Sequence, residues 1–415
     1  MTVESTFRVS PNGGSAHALA TRAGAPAVVL GLDEGTIGIQ TARILAERGV
    51  PVMAVAGNPD HPSCRTRVCK EITIENTHGD GVIDALERLG RRLDSRAVIF
   101  PCADANVHVI SRHRERLSEW FEIVLPSHDV VELLTEKDRF YRFATEHGLP
   151  VPATFLLRES ADVQEAAQGL RFPCILKPVI RTPLWNSNAR AKAFRVRDAE
   201  ELRAKFESHR ELAPVMLAQN WVRGEDSAHY STNIYVDALG ELAVSFTTQK
   251  LRQWPAGTGQ GCLSVEARDA EVVETARRLF ELVPFRGLGY LEVKRDDVTG
   301  ELVIIEPSVG RPTGRSASAE AAGVELLYTM YCDALGLPLP ECRQQGDTQT
   351  KWIHVRRDTQ AAFVLWRKGD LTLRDWWRSW RGPKRDAVFS WRDPAPFVAD
   401  IGRVLRRAAS RTAGL

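Results

Sequence analysis

From Ala27 the chain runs AVVLGL, a glycine-bearing turn, the helical stretch TARILAERG and a second apolar run, VPVMAVA. Apolar runs separated by a helix form a βαβ unit, whose strands pair in parallel and need helices on both faces. A third run, AVIFPC at 97–102, extends the same sheet. The alternation predicts a Rossmann-like first domain, with the loops that leave the C-terminal ends of its strands available to a ligand.

The turn GLDEGTIG carries glycines at 31, 35 and 38, which do not follow the GxGxxG spacing. Glu34 would also face a pyrophosphate that needs bare backbone N–H groups, so the turn does not read as a dinucleotide site. A tight strand-to-helix connection and a substrate-side loop both remain open. Asp104, just past the third run, either meets a polar ligand or caps the next helix.

Near residue 130 the pattern changes to a helix with a charged face, VELLTEKDRFYRFATEHG, closed by Gly148 and a Pro-Val-Pro segment. Next come a strand ATFLL, a helix, the strand FPCILKP, a polar loop from Arg181 to Ala191 and the short strand KAFRV. Lys177 sits in a run so apolar that its ammonium is desolvated unless an anion meets it or it snorkels to the surface. Together with Lys137 and the WNSNARAK loop it would surround a polyphosphate.

Beyond the strand ending QNWVRGED lie alternating strands joined by a turn at Leu239-Gly240, a helix near EVVETARRLFELV and two strands, GLGYLEVKRD and GELVIIEPS. Glu292 and Glu306 lie on these last two strands in apolar surroundings, each costly to bury without a cation. Hairpin pairing would set their carboxylates side by side, as hard oxygen ligands suited to Mg²⁺; cross-strand pairing with Lys294 or Arg295 is the plainer alternative. Lys250 and Arg252, two apart on a strand, are expected to share a face, which either stabilises charge moving off a γ-phosphate or is simply solvated.

Taken in order, EKDRFYRFATEHGLPVP, CILKPV, LAQNWVRGED, YVDALGELAV, GYLEVKRDDVTGELVIIEPSVGRPTGRS and AEAAGVELLYTMYCDALG resemble the ATP-grasp superfamily over residues 27–340, nearest its carboxylate–amine ligase branch. The resemblance implies an α/β and α+β multidomain fold. The Rossmann-like domain spans 26–130 and an ATP-grasp domain 131–342, with lobes at about 131–215 and 216–342; composition adds a leader at 1–25, rich in Gly, Ala, Ser and Thr, and a basic, tryptophan-rich extension at 343–415. It makes Lys137 and Lys177 the phosphate lysines, residues 186–192, with Lys192, the flap, and Gln219, Asn220, Trp221 and Val222 the adenine hinge. Glu225 would hold the ribose, with Asp226 second; Glu292, Glu306 and Ser308 would hold Mg²⁺, or Mn²⁺ in its place. Ser308 stands where the family usually has Asn, and Gly310 where it usually has Arg, with Arg311 and Arg315 close by.

The implied activity is ATP-dependent joining of a carboxylate and an amine through an acyl phosphate, with ADP and phosphate released and amino acid-like substrates. A carboxylase, a phosphotransferase and a nucleotide-binding protein without turnover are the rivals on the same fold. The seven cysteines are scattered and never form CxxC, which favours a reducing cytoplasm over a disulfide framework. No run of about 18 apolar residues marks a membrane span, and a homodimer is the default assembly. From Arg343 onward 16 Lys and Arg stand against 7 Asp, in a chain whose net charge is only +2. This tail is expected to pack on the core through Trp376, Trp377 and Trp380; contact with an anionic membrane or nucleic acid is the alternative.

Overall fold

A computed structural model describes residues 24–180, 182–189, 193–257 and 259–412, so the leader falls almost wholly outside the described residues. Strands β1 (Ala27–Leu30), β2 (Val52–Ala56), β3 (Cys69–Ile74), β4 (Ala97–Pro101) and β5 (Phe121–Glu122) form an all-parallel sheet in the order β3-β2-β1-β4-β5. Alternate residues of β1 enter different cores: Val28 and Leu30 on one face, Ala27 and Val29 on the other. That two-sided burial is why the strand reads as an unbroken apolar run. Strand β3 had no such run because its side chains, in CKEITI, are only partly covered at the sheet edge.

Helix α1 (Ile37–Glu47) follows β1, and α2 (Asp104–Arg112) follows β4. A Cβ on Gly38 would lie 2.4 Å from the Gly31 carbonyl oxygen, so only glycine lets α1 start this close to its strand. Strand order reverses between β1 and β4, and their two loops therefore flank a crevice.

The expected single helix over 131–148 is instead two, α3 (His128–Thr135) and α4 (Lys137–Glu146), separated by the extended backbone of Glu136 (φ −81°, ψ 115°). The break puts Lys137 at the head of α4. A four-stranded antiparallel sheet follows, with β6 (Thr154–Leu157), β7 (Cys174–Pro178), β8 (Phe194–Val196) and β9 (Met216–Asn220) in the order β6-β9-β7-β8. Its core holds Leu157, Leu176, Trp185 and Phe206. Part of the segment expected as a polar loop is a helix, α5 (Pro183–Asn188), because the Thr182 hydroxyl caps it by accepting from the Trp185 N–H at 3.0 Å and Trp185 is buried.

The large sheet runs β14-β13-β10-β11-β12-β15-β16, from β10 (His229–Val236), β11 (Leu242–Trp254), β12 (Gln260–Glu266), β13 (Gly287–Arg295), β14 (Leu302–Val309), β15 (Lys351–Ile353) and β16 (Lys384–Asp386). Its side chains share both cores of the parallel sheet: Leu291 and Ile304 in one, Phe246 and Trp352 in the other. The segment expected as an extension thus supplies two strands, β15 antiparallel to β12 and β16 parallel to β15.

Helix α6 (Val355–Lys368) and helix α7 (Leu373–Ser379) then meet around Asp358, which is fully buried. Its carboxylate accepts from Trp376 Nε1 at 3.0 Å and Trp380 Nε1 at 2.7 Å, while Trp377 stays exposed. Beyond β16 the chain returns to the first sheet. Asp393 accepts from Arg43 Nε at 2.9 Å, the Thr66 hydroxyl at 2.6 Å and the Arg67 N–H at 3.1 Å, and α8 (Ala395–Thr412) packs beside the turn Pro62–Arg65. No described helix is long and apolar enough to cross a membrane.

Candidate functional site

A cleft of about 730 Å³ opens where the two antiparallel sheets face the crevice of the parallel one, a size suited to a nucleotide and a small substrate. Residues 34–37 after β1 and 102–104 after β4 form one wall, so the GLDEGTIG turn is a cleft loop. Lys177 enters from β7, whose alternate residues Cys174 and Leu176 go to the small core. Its ammonium lies 3.3 Å from Gln219 Oε1, and Gln219 is itself held by donating to the Thr154 hydroxyl at 2.8 Å. Burial lowers the Lys177 pKa to about 8, against the opposing pull of Glu306 and with added push from Lys137.

Glu292 and Glu306 are direct cross-strand partners of β13 and β14. Their environments differ. Burial alone would raise Glu292, but Lys250 Nζ at 2.7 Å and His229 Nδ1 at 3.0 Å outweigh it and hold the carboxyl well below its ordinary value. Glu306 lines the cleft and is exposed there; even so, desolvation of its carboxyl first, and then the Glu292 charge, raise its pKa, with Lys177 and Lys137 opposing. Among the described residues no side chain or backbone N–H donates to Glu306. Neither Lys294 nor Arg295 takes up the pair: Lys294 donates to the Val222 and Gly224 carbonyls, and Arg295 pairs with Asp269 and Glu271.

These features fit a divalent cation. The open oxygens of Glu306 want one, and no group of three or more His, Cys, Asp or Glu among the described residues would cage it. A hard cation seated here completes its shell with phosphate and water oxygens, as Mg²⁺ prefers. Ser308, opposite Tyr290, reaches the cleft too, with its hydroxyl accepting from Arg311 Nη2 at 3.3 Å.

No protein-family model matches the chain. The D-aspartate ligase of Enterococcus faecium is 26% identical over 275 residues, which cover 61% of this chain and 63% of that protein. D-alanine–D-alanine ligase B of Chromobacterium violaceum is 26% identical over 166 residues, or 38% and 52% of the two. The chain therefore spans less than two thirds of either relative. Among solved structures, the ADP complex of N5-carboxyaminoimidazole synthetase from Staphylococcus aureus superposes with a TM-score of 0.61 at 18% identity, covering 78% of this chain and 80% of that one. Biotin carboxylase from Campylobacter jejuni gives 0.59 at 15%, covering 76% and 72%. The chain is similar to ATP-grasp enzymes in sequence and in fold. Both sequence relatives are named as ligases.

Of the ATP-grasp residues expected from sequence, the cleft brings together Lys177, Gln219, Asn220, Trp221, Val222, Lys250, Glu292, Glu306, Ser308, Arg311 and Arg315. Lys137 stands just behind, donating to the Val179 carbonyl at 3.1 Å. Lys192 lies outside the described residues. Glu225, expected at the ribose, is exposed and off the cleft wall, because Gly224 (φ +113°) turns the chain there. Asp226, the second choice, is also off the cleft wall and accepts from Gln253 Nε2 at 2.6 Å.

Arg252 is a clear correction. Register shifts on both sides of it make a bulge, so Lys250 and Gln253 face the cleft and Arg252 points away. Its guanidinium binds Asp358 through Nε at 2.8 Å and Nη2 at 3.0 Å, and Ser379 at 2.7 Å. Arg311 bridges to the first sheet by gripping Asp104 at 2.5 Å, the partner that a lone reading of Asp104 lacked. Sequence reasoning missed His229, Gln253, Trp352 and Arg357 as cleft residues. His229 carries a faint signal at the head of a strand paired to Glu292's; the tail residues carry none until β15 is seen beside β12.

Proposed function

We propose that the chain is an ATP-dependent carboxylate–amine ligase that works through an acyl phosphate. The observation that carries this reading is the facing pair Glu292 and Glu306, set in one cleft with Lys177 and with Gln219 to Val222. Its two sequence relatives, named for D-aspartate and D-alanine–D-alanine ligation, agree with it.

In this reading Lys177, with Lys137 behind it, meets the ATP phosphates, and the backbone of 219–222 meets the base. Glu292, Glu306 and Ser308 hold Mg²⁺, or Mn²⁺, which when bound neutralises the transferring phosphoryl oxygens. Lys250 and Arg311 flank the point where the substrate carboxylate oxygen attacks phosphorus, and stabilise charge as the acyl phosphate forms. The amine then displaces phosphate at the acyl carbon. No protein nucleophile is needed, so positioning and electrostatics carry the catalysis.

A second reading, an ATP-dependent carboxylase, draws on the shared fold of biotin carboxylase. A nucleotide-binding protein without turnover is a third, motivated by serine at 308. ADP release from Mg-ATP with acids, amines, acid–amine pairs and bicarbonate separates them. The ligase reading expects release only on particular pairs, with at least a hundredfold loss in Glu306→Gln; release on bicarbonate, or nucleotide binding without release on any pair, would overturn it.

A further inference from the structure

Beyond β11 the cleft continues to β12 and β15, where two guanidinium groups stand with no carboxylate. Arg315 lies over Gly261, where a Cβ would come within 2.2 Å of its Nη2, and its Cζ is 5.1 Å from the centroid of the Trp352 ring. That ring is fixed in turn, since Trp352 Nε1 donates to Gln40 Oε1 at 2.8 Å. The Arg315 Nε is buried without a hydrogen-bond partner. Arg357, half-buried in the first turn of α6, donates to Gln260 Oε1 at 3.0 Å.

Neither arginine makes an ion pair with any described residue, although both line the cleft. Asp400, the carboxylate whose charge acts on Arg357, is itself shared by Arg356 and Arg403, and Asp358 and Asp226 are engaged by Arg252 and by Gln253. Burial, and then Arg356, depress the Arg357 pKa, the direction expected for a cation short of a counter-charge. A desolvated guanidinium without an anion is costly, and its planar fork matches a carboxylate.

This place adjoins the phosphate end. A Cβ on Gly261 would also lie 3.4 Å from Lys250 Cγ, and Lys250 Nζ meets Glu292 at 2.7 Å, so the two arginines stand just past Lys250, where the far end of a small acid activated beside Glu306 would reach them.

We propose that Arg315 and Arg357, backed by Trp352, seat a second carboxylate of the acid substrate, so that the acid this chain activates is dicarboxylic. The proposal rests on the ligase reading and gives the strand and helix at 351–368 a direct part in specificity.

The test is calorimetric binding of succinate, glutarate, aspartate and glutamate, with asparagine and glutamine as single-carboxylate counterparts, to protein filled with Mg²⁺ and a nonhydrolysable ATP analogue. At least one diacid should bind about ten- to a hundredfold more tightly than its counterpart. Arg357→Gln should erase that gap while leaving nucleotide affinity unchanged. Arg315→Lys serves the same purpose if Arg357→Gln fails to bind nucleotide through misfolding. No diacid binding, equal losses for diacid and counterpart, or weakened nucleotide binding in a folded variant would each overturn the seat. ADP release on acid–amine pairs that is indifferent to Arg357 would sink the seat and leave the ligase standing; Arg357-dependent diacid binding without ADP release would do the reverse.

Discussion

Arg252 and Asp358 offer a direct contest between a catalytic and a structural role. Both side chains are almost fully buried, so their pairing is not screened by solvent. Replacing Asp358 with Asn leaves the guanidinium buried without its counter-charge, a change that costs about 3–5 kcal/mol in comparable buried pairs. Trp376 and Trp380 both donate to Oδ2, so an asparagine carbonyl in that place keeps both indoles but turns its NH2 on Arg252 Nε, which loses its acceptor. If the cooperative unit is 150–250 residues, the loss corresponds to a fall in Tm of roughly 6–20 °C. Arg252→Gln should fall by a similar amount, and Arg252→Gln/Asp358→Asn by much less than the sum, since the double variant buries no lone charge. Differential scanning calorimetry of the four proteins measures this directly. The reasoning fails if Asp358→Asn melts within 1 °C of the parent, or if Arg252→Gln keeps the parent Tm and loses ADP release, which would make Arg252 a catalytic residue after all.

Two further outcomes are expected. Lys177, with its pKa brought down to about 8 by burial, loses its proton in the free protein as pH rises through 8, while a bound phosphate favours the charged form. Nucleotide affinity should therefore fall above pH 8 with proton uptake on binding, and Lys177→Met should remove that dependence; calorimetry in buffers of different ionisation enthalpy reads both. The same lysine stays protonated to about 10.4 in the unfolded chain, so stability should rise between about pH 8 and 10 on its account. Gly38→Ala drives a methyl into the backbone of Gly31 and Leu32 and should destabilise by about 1–3 kcal/mol in urea, whereas Gly261→Ala meets only the movable end of Arg315 and should spare stability while weakening acid binding.

The chemistry of the site was legible where it was local. Lys177 in CILKPV and the glutamates of GYLEV and VIIEP announce themselves because a charge inside an apolar run is expensive, and hairpin pairing places the two acids opposite each other without further information. Strand β3 and the helix at Pro183–Asn188 were hidden for different reasons, one being half-exposed and the other, PLWNSN, too short to show a helical period. Arg252 misled because a period of two holds only while the strand is regular, and one bulge reversed its face. Trp352 and Arg357 could not be read at all, since nothing in a sequence announces that a strand near residue 351 will pair with one near 264.

The clasp of Asp393 on Arg43 sets a timetable for synthesis. Asp393 follows Arg43 by 350 positions, so at about 5–20 residues per second it leaves the ribosome roughly 20–70 s later. The parallel sheet is already complete in sequence by β5, yet for that whole interval Arg43 waits without the carboxylate that neutralises it, and the first strands stay uncapped until Asp393 has emerged. Newly made chains should accordingly remain protease-sensitive around Arg43 to Arg67 until β16 and α8 have emerged.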